Sequence, residues 1–298
     1  MDDSRVRKYV ELKGRIGNTP LIRYSGSVSN GNSLWIKREC DNPFGSHYDR
    51  VYLALFKYFE ENKGLKPGMN VLETSSGSAG VSFAGVGREL GYNCYVMIPD
   101  DLIKQKRIEA IKSVGGIIIP TPAGEDIQGF TKERIFENIR KYYAKFLNHS
   151  MGIDGANNEV TLCALEDIAI ETCGLHSPKI DIFVAGIGNG SSVVGPGRFF
   201  RRYNPDIKII GYKPRKSGKS EYPGLMNQDG LKRMIDFPHI REAEKMMDKV
   251  VLIDDWNGVG YQDLGRSANA GIKVALDFAK EVSDKNILVL GYDKAERY

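Results

Sequence analysis

The stretch Asp181-Ile182-Phe183-Val184-Ala185-Gly186-Ile187-Gly188-Asn189-Gly190-Ser191-Ser192 joins a strand-length apolar run to a turn of glycines and hydroxyls. The segment after it, Val193–Tyr203, has the length of a helix, so the whole reads as strand, turn, helix. The pattern occurs once more upstream: Val71-Leu72 leads into Glu73-Thr74-Ser75-Ser76-Gly77-Ser78-Ala79-Gly80, which opens a helix. In both turns, glycines let the backbone approach a ligand closely and helix-start N–H groups point outward, so each can hold an anion. The hydroxyls of Ser75, Ser76, Ser191 and Ser192 add donors at little steric cost. Neither turn is a dinucleotide fingerprint or a P-loop: no acidic residue follows Gly-x-Gly-x-Gly at the expected offset, and no Gly-Lys-Ser/Thr ending is present. Each turn by itself is also satisfied by a serine-capped helix.

Strands are predicted at Asn70–Glu73, Asn93–Ile98, Gly116–Pro120, Asp181–Ala185, Ile207–Tyr212, Val250–Ile253 and Ile287–Leu290. Helices are predicted between them, at Ala79–Leu90, Leu102–Val114, Thr131–Phe146, Val193–Tyr203 and Asn269–Val282. Within Leu102–Val114, the positions Ile103, Arg107, Ile108, Ile111 and Val114 form one face. Alternating short strands and helices imply βαβ units, a parallel sheet covered on both faces, and an α/β fold. Gly152–Asn158 and Arg215–Gln228 read as long surface loops, the first of them a domain boundary.

Composition narrows the function. The chain has 298 residues, 41% hydrophobic and 27% charged, with 33 glycines, as expected of a globular protein rich in tight turns. A net charge of +4 is too small and too dispersed to call for nucleic acid, and the basic cluster Arg198–Arg202 reads as a solvated helix side. No apolar run approaches the roughly 20 residues of a membrane span, and Met1–Arg5 lacks a signal-peptide core. Cys40, Cys94, Cys163 and Cys173 form no CxxC pair, which speaks against zinc and disulfides and for a cytoplasmic protein.

One segment ties these pieces together. Asn42-Pro43-Phe44-Gly45-Ser46-His47-Tyr48-Asp49-Arg50 resembles the cofactor-anchoring segment Asn-Pro-x-Gly-Ser-x-Lys-Asp-Arg of fold-type II pyridoxal-phosphate enzymes. These are the cysteine synthase and cystathionine beta-synthase group of the tryptophan synthase beta superfamily. Further resemblances follow in the family's order. Ile16–Leu21 is similar to its opening signature and Trp35–Glu39 to the strand before the anchor; Ser75–Gly80 is similar to its substrate loop Thr-Ser-Gly-Asn-Thr-Gly. Gly188, Asn189, Gly190, Ser191 and Ser192 stand at the phosphate cup, Gly265–Ala270 resembles the turn carrying Ser267, and Tyr292–Tyr298 the terminal segment.

The resemblance implies a two-lobed fold with mostly parallel sheets flanked by helices. One lobe would be 38–147 and the other 1–37 with 148–298. It implies pyridoxal 5'-phosphate held by Ser78, Gly188–Ser192 and Ser267, and a small amino-acid substrate whose carboxylate meets Ser75, Ser76, Gly77 and Ala79. It also implies a homodimer, with no metal, nucleic-acid or membrane partner. Ser267 would meet the pyridine nitrogen, and a serine there suits β-elimination and β-replacement on serine- or cysteine-like amino acids.

The chain departs from the family where the chemistry is done. The lysine that forms the Schiff base is replaced by Tyr48, and a phenol cannot condense with an aldehyde. The register is held by Ser46-x-x-Asp49-Arg50, and Lys37 lies too far upstream to substitute by a slip. With a reference pKa near 10, Tyr48 is a poor base at neutral pH. His47 titrates nearer pH 7, although a packed, buried histidine is the plainer reading of that position. Ser78 and Ala79 replace the family's asparagine and threonine, and Lys213 stands where the family is acidic. Two functions are therefore open: a cysteine synthase-like enzyme with an altered mechanism and noncovalent cofactor, or a non-catalytic relative using the same cleft to bind cofactor, amino acid or a protein partner.

Overall fold

The computed structural model describes residues 2–75, 77–100, 105–122, 131–149, 155–174, 177–215, 225, 238–254 and 260–297. The chain begins with α1 (Asp3–Arg15), whose N-cap Asp2 accepts a hydrogen bond from the Arg5 amide. It continues through β1 (Leu21–Arg23), β2 (Ser33–Lys37) and α2 (Tyr48–Asn62). Next come β3 (Asn70–Thr74), α3 (Ser78–Glu89), β4 (Asn93–Pro99), α4 (Gln105–Ser113), β5 (Ile117–Thr121), α5 (Lys132–Tyr142) and β6 (Lys145–Phe146). The second half holds α6 (Gly155–Thr172), β7 (Ile182–Gly186), α7 (Ser191–Tyr203), β8 (Lys208–Pro214), α8 (Pro238–Met246), β9 (Lys249–Ile253), α9 (Arg266–Phe278) and β10 (Asn286–Leu290).

The strands form two sheets, one ordered β1-β2-β10-β7-β8-β9 and the other β5-β4-β3-β6. Every pairing is parallel except β1 with β2. β7 and β10 lie at the centre of the larger sheet and are almost wholly apolar and buried, as strands covered on both faces must be. α2 buries Val51, Tyr52, Leu55, Phe56 and Phe59, a one-sided stripe that packs on α3 and α6. The fold is thus the predicted α/β arrangement of mostly parallel sheets flanked by helices.

The predicted strands all form, within two residues at each end. Two expectations fail locally. The helix predicted over Thr131–Phe146 ends at Tyr142, because Tyr143 turns left-handed (φ 48°) and Lys145–Phe146 pairs with Val71–Leu72 as an edge strand. The loop predicted over Gly152–Asn158 is already α6 from Gly155 onward, and residues 151–154 lie outside the described part. α6 escapes a periodicity reading because it packs against both α7 and α2, so its apolar residues do not line one face. Most of Arg215–Gln228 also lies outside the described residues.

Candidate active site

Parallel strands end together, and ligands of open α/β sheets sit beyond their carboxyl ends. The turn after β3, the residues after β6 and β10, the glycine turn after β7 and the anchor after β2 all meet there. Contacts cross between the two sheets: Ser78 Oγ, at the start of α3, donates to Asp293 Oδ2, just past β10, at 2.5 Å. Ser46 and Asp293 form an antiparallel bridge.

Most of the anchor segment builds the fold. Arg50 is buried and forks onto Glu39, with Nε and Nη2 each 2.8 Å from a carboxylate oxygen. It also reaches Glu171 on α6, at 2.5 and 2.7 Å. Lys37 joins the same cluster through Glu171 Oε2 (2.7 Å) and the Thr19 carbonyl (2.6 Å). Burial disfavours ionised Glu171, but Arg50 and Lys37 outweigh it and hold its pKa at about 2. Asn42 accepts from the Gly17 amide and donates to Glu39, Asp49 accepts from the Phe44 amide at 2.7 Å, and the Ser46 hydroxyl meets that of Ser82 at 2.9 Å. Lys37 is therefore committed to a buried ion pair, away from any aldehyde chemistry.

Tyr48 is the first residue of α2 and is partly buried. Its ring packs against those of His47 and His149. Burial, then the neighbouring Asp293, Tyr292 and Glu73, raise its pKa well above the ordinary tyrosine value. His47 is buried, as the plainer reading of it had it, and stacks on Tyr48 with ring centres 4.1 Å apart. Burial pushes its pKa down to about 4. It is neutral at pH 7 and a weak base.

Sequence reasoning missed a third group. Beneath Tyr48, the buried carboxylate of Glu73 accepts from Asn148 Nδ2 and the Thr74 amide, each at 2.7 Å, through one oxygen. Its other oxygen accepts from Tyr52 OH at 2.7 Å and lies 3.3 Å from His149 Nδ1. Tyr52 OH is 3.0 Å from the same Nδ1. The His149 ring meets the Tyr48 ring edge-on at 4.8 Å. Glu73, Tyr52 and His149 come from β3, α2 and the segment after β6, so no local spacing links them. Arg107 was also overlooked. It is buried, and its guanidinium lies beside Gly77 in the turn after β3. A charge inside the apolar stripe of that helix was the available signal.

The glycine turn fits a phosphate. Gly190 has φ +91°, and a Cβ there would come within 2.7 Å of the His239 backbone, so only glycine closes this cradle at the start of α7. Asn189 Oδ1 accepts from both the amide and the hydroxyl of Ser191, at 2.9 and 2.7 Å, which rigidifies the turn. The Ser192 hydroxyl donates to the Gly186 carbonyl at 3.4 Å, and the Tyr292 oxygen accepts from the Gly186 amide at 2.8 Å. Ser267 is buried in the first turn of α9, and its carbonyl accepts from Tyr212 OH at 2.8 Å. In the turn after β3, Ser75 Oγ already accepts from the Gly77 and Gly80 amides, at 3.1 and 2.8 Å. Ala79 is buried behind it. Ser76 lies outside the described residues. The glycine turn thus suits the phosphate of pyridoxal phosphate, whereas residue 48 offers no amine. Among the described residues, no group of His, Cys, Asp and Glu could hold a metal ion, and no helix is long and apolar enough to cross a membrane.

Comparison with known proteins agrees with this fold. The family described as pyridoxal-phosphate dependent enzyme matches residues 12–262. Cysteine synthase B of Escherichia coli is 27% identical over 297 residues, covering 96% of this chain and 93% of that protein. Cystathionine beta-synthase of Apis mellifera is 27% identical over 291 residues, covering 92% of this chain and 57% of that protein. Among solved structures, O-ureido-L-serine synthase superposes with a TM-score of 0.80 at 23% identity, over 96% of this chain and 92% of that one. The O-acetylserine dependent cystathionine beta-synthase of Helicobacter pylori superposes at 0.82 and 20% identity, over 96% of each chain. At these identities the structures speak for the fold.

Proposed function

The chain belongs to the pyridoxal-phosphate dependent enzyme family, and from that premise we propose that it holds pyridoxal 5'-phosphate without a covalent bond and acts on a small serine- or cysteine-like amino acid. The reaction class is β-elimination or β-replacement, in line with the cysteine synthases it is similar to. The observation that carries this reading is the left-handed Gly190 turn at the start of α7, where a Cβ would come within 2.7 Å of the His239 backbone. That turn is shaped for a phosphate, so the cradle is kept, whereas residue 48 is a tyrosine and brings no amine. Gly188–Ser192 and the α7 N-terminus would take the phosphate and Ser267 the ring nitrogen. Ser75–Ala79, with Arg107 beside them, would take the amino acid's carboxylate. When bound, pyridoxal phosphate supplies an electron sink for the pair released at the amino acid's α-carbon. Tyr48, with its raised pKa, keeps its proton and acts as a donor toward the cleft.

A second reading, a non-catalytic binder, is favoured by one contact: Ser78 Oγ is spent on Asp293, and Ala79 beside it has no hydroxyl. Purified protein titrated with pyridoxal phosphate, then treated with borohydride and weighed intact, tests the first reading. Binding that washes out and leaves no adduct is expected. A covalent adduct would overturn the noncovalent mode, and absence of binding would overturn both cofactor readings. Spectral change on adding L-serine or L-cysteine separates enzyme from binder. The oligomeric state expected of such an enzyme, a homodimer, is read by light scattering.

A further inference from the structure

The lysine of such enzymes also moves a proton, and the chain must find another group for that work if it turns over. Three buried histidines, His47, His149 and His239, surround this region. His239 backs the glycine turn, its backbone packed against Gly190. His47 stacks on Tyr48 with its Nδ1 unpartnered. Of the three, only His149 is within reach of a carboxylate.

The hydrogen-bond geometry defines the tautomer of His149. Tyr52 has one hydroxyl hydrogen, and at 2.7 Å from Glu73 Oε2 it is donated to the carboxylate. The Tyr52 oxygen, 3.0 Å from His149 Nδ1, is then an acceptor, as is Glu73 Oε2 at 3.3 Å. Nδ1 therefore carries the proton, and in the neutral ring the lone pair is on Nε2. No protein group among the described residues hydrogen-bonds Nε2. The side chain retains 8% exposure, and its ring touches the one side chain that occupies the lysine position. A carboxylate on Nδ1 and an open Nε2 is the arrangement of an oriented general base.

We infer that His149 is the proton-transfer group of this site, taking the α-proton of the bound amino acid on Nε2 and returning it. This inference rests on the reading given above, in which an amino acid and pyridoxal phosphate share the cleft. In the forward step the substrate C–H bond breaks and an Nε2–H bond forms. The electron pair stays with the substrate, and the positive charge on the imidazole faces the Glu73 carboxylate. Glu73 and Tyr52 are positioning residues. His47 and His239, whose pKa values burial lowers to about 4, lack such a partner and stay weak bases.

The test has two arms. Nitrogen NMR of histidine-labelled full-length protein without cofactor is expected to show His149 protonated on Nδ1 at neutral pH. In Y52F or E73Q that population is expected to fall. With pyridoxal phosphate and L-serine in deuterated water, loss of the α-proton signal is expected for the parent protein. In H149N, whose amide can still donate toward Glu73, exchange should slow by about 10²- to 10⁴-fold with an unchanged cofactor titration. An Nε2-protonated His149, exchange as fast in H149N as in the parent, or no exchange in a parent protein that binds both ligands would overturn the inference. Failure to bind pyridoxal phosphate would instead overturn the reading beneath it, and the tautomer would still decide whether His149 is oriented as described.

Discussion

Helix α2 begins between two buried polar clusters that treat charge in opposite ways. On one side, Arg50 answers Glu39 and Glu171 with Lys37 and Thr19 completing the shell, and every partner comes from within the chain. On the other, Glu73 gathers Asn148, Thr74, Tyr52 and His149, yet leaves one imidazole nitrogen with no hydrogen bond to a described residue. A saturated cluster stores no chemistry and serves as a cross-brace between β2, α2 and α6. An incompletely used cluster can move a proton. The part of the anchor segment formed by Asn42, Asp49 and Arg50 belongs to the first kind, and so its presence speaks for the fold and not for a reaction at position 48.

The largest effect should come from breaking the saturated side. R50M strands Glu39 as a buried, unpaired charge and leaves Glu171 with Lys37 alone, and urea unfolding is expected to show about 3–5 kcal/mol lost. A loss under 1 kcal/mol would mean that the cluster is not a brace. Acid should come next. His47 and His239 have folded pKa values of about 4, below the unfolded value of 6.5. The unfolded chain then binds more protons between those values, so stability is full above pH 6.5 and falls as pH drops toward 4. The expected loss is on the order of 2–3 kcal/mol per histidine, read from unfolding curves at pH 7.5 and 4.5. Replacing His47 by glutamine should remove about half of that slope.

On the open side the stability effects should be smaller. Y52F deletes one hydrogen bond to Glu73 and one to His149, for an expected cost of about 1–2 kcal/mol. Its stronger signature should be the His149 tautomer. Y48F removes only the phenol oxygen and should cost about 1 kcal/mol or less, while Y48K places an amine there. Borohydride treatment of Y48K with pyridoxal phosphate should then give a covalent adduct by mass, and its absence would mean that residue 48 does not reach the aldehyde.

Much of this was readable in the residues. Apolar runs such as Ile182–Val184 and Ile287–Leu290 marked the central strands, because a strand buried on both faces tolerates little else. The glycine turn after β7 announced its cradle through Gly190, which no side chain can replace. Edge strand β6 escaped because two residues carry no periodicity, and α6 because helices on two sides leave it no single apolar face. His149 escaped for a different reason. Its partners lie 76 and 97 positions away, and nothing in the neighbourhood of residue 149 predicts a carboxylate.

By itself, the sequence determined the layered α/β architecture and the absence of an amine at position 48, since both depend on residue type and order along the chain. The tertiary structure decided which polar side chains are used up and which remain open. That outcome depends on packing three separate elements so that Glu73, Tyr52 and His149 come within hydrogen-bond reach, and hydrogen-bond strength falls away over tenths of an ångström. Local pattern has no means of encoding so fine a distance between residues so far apart in the chain.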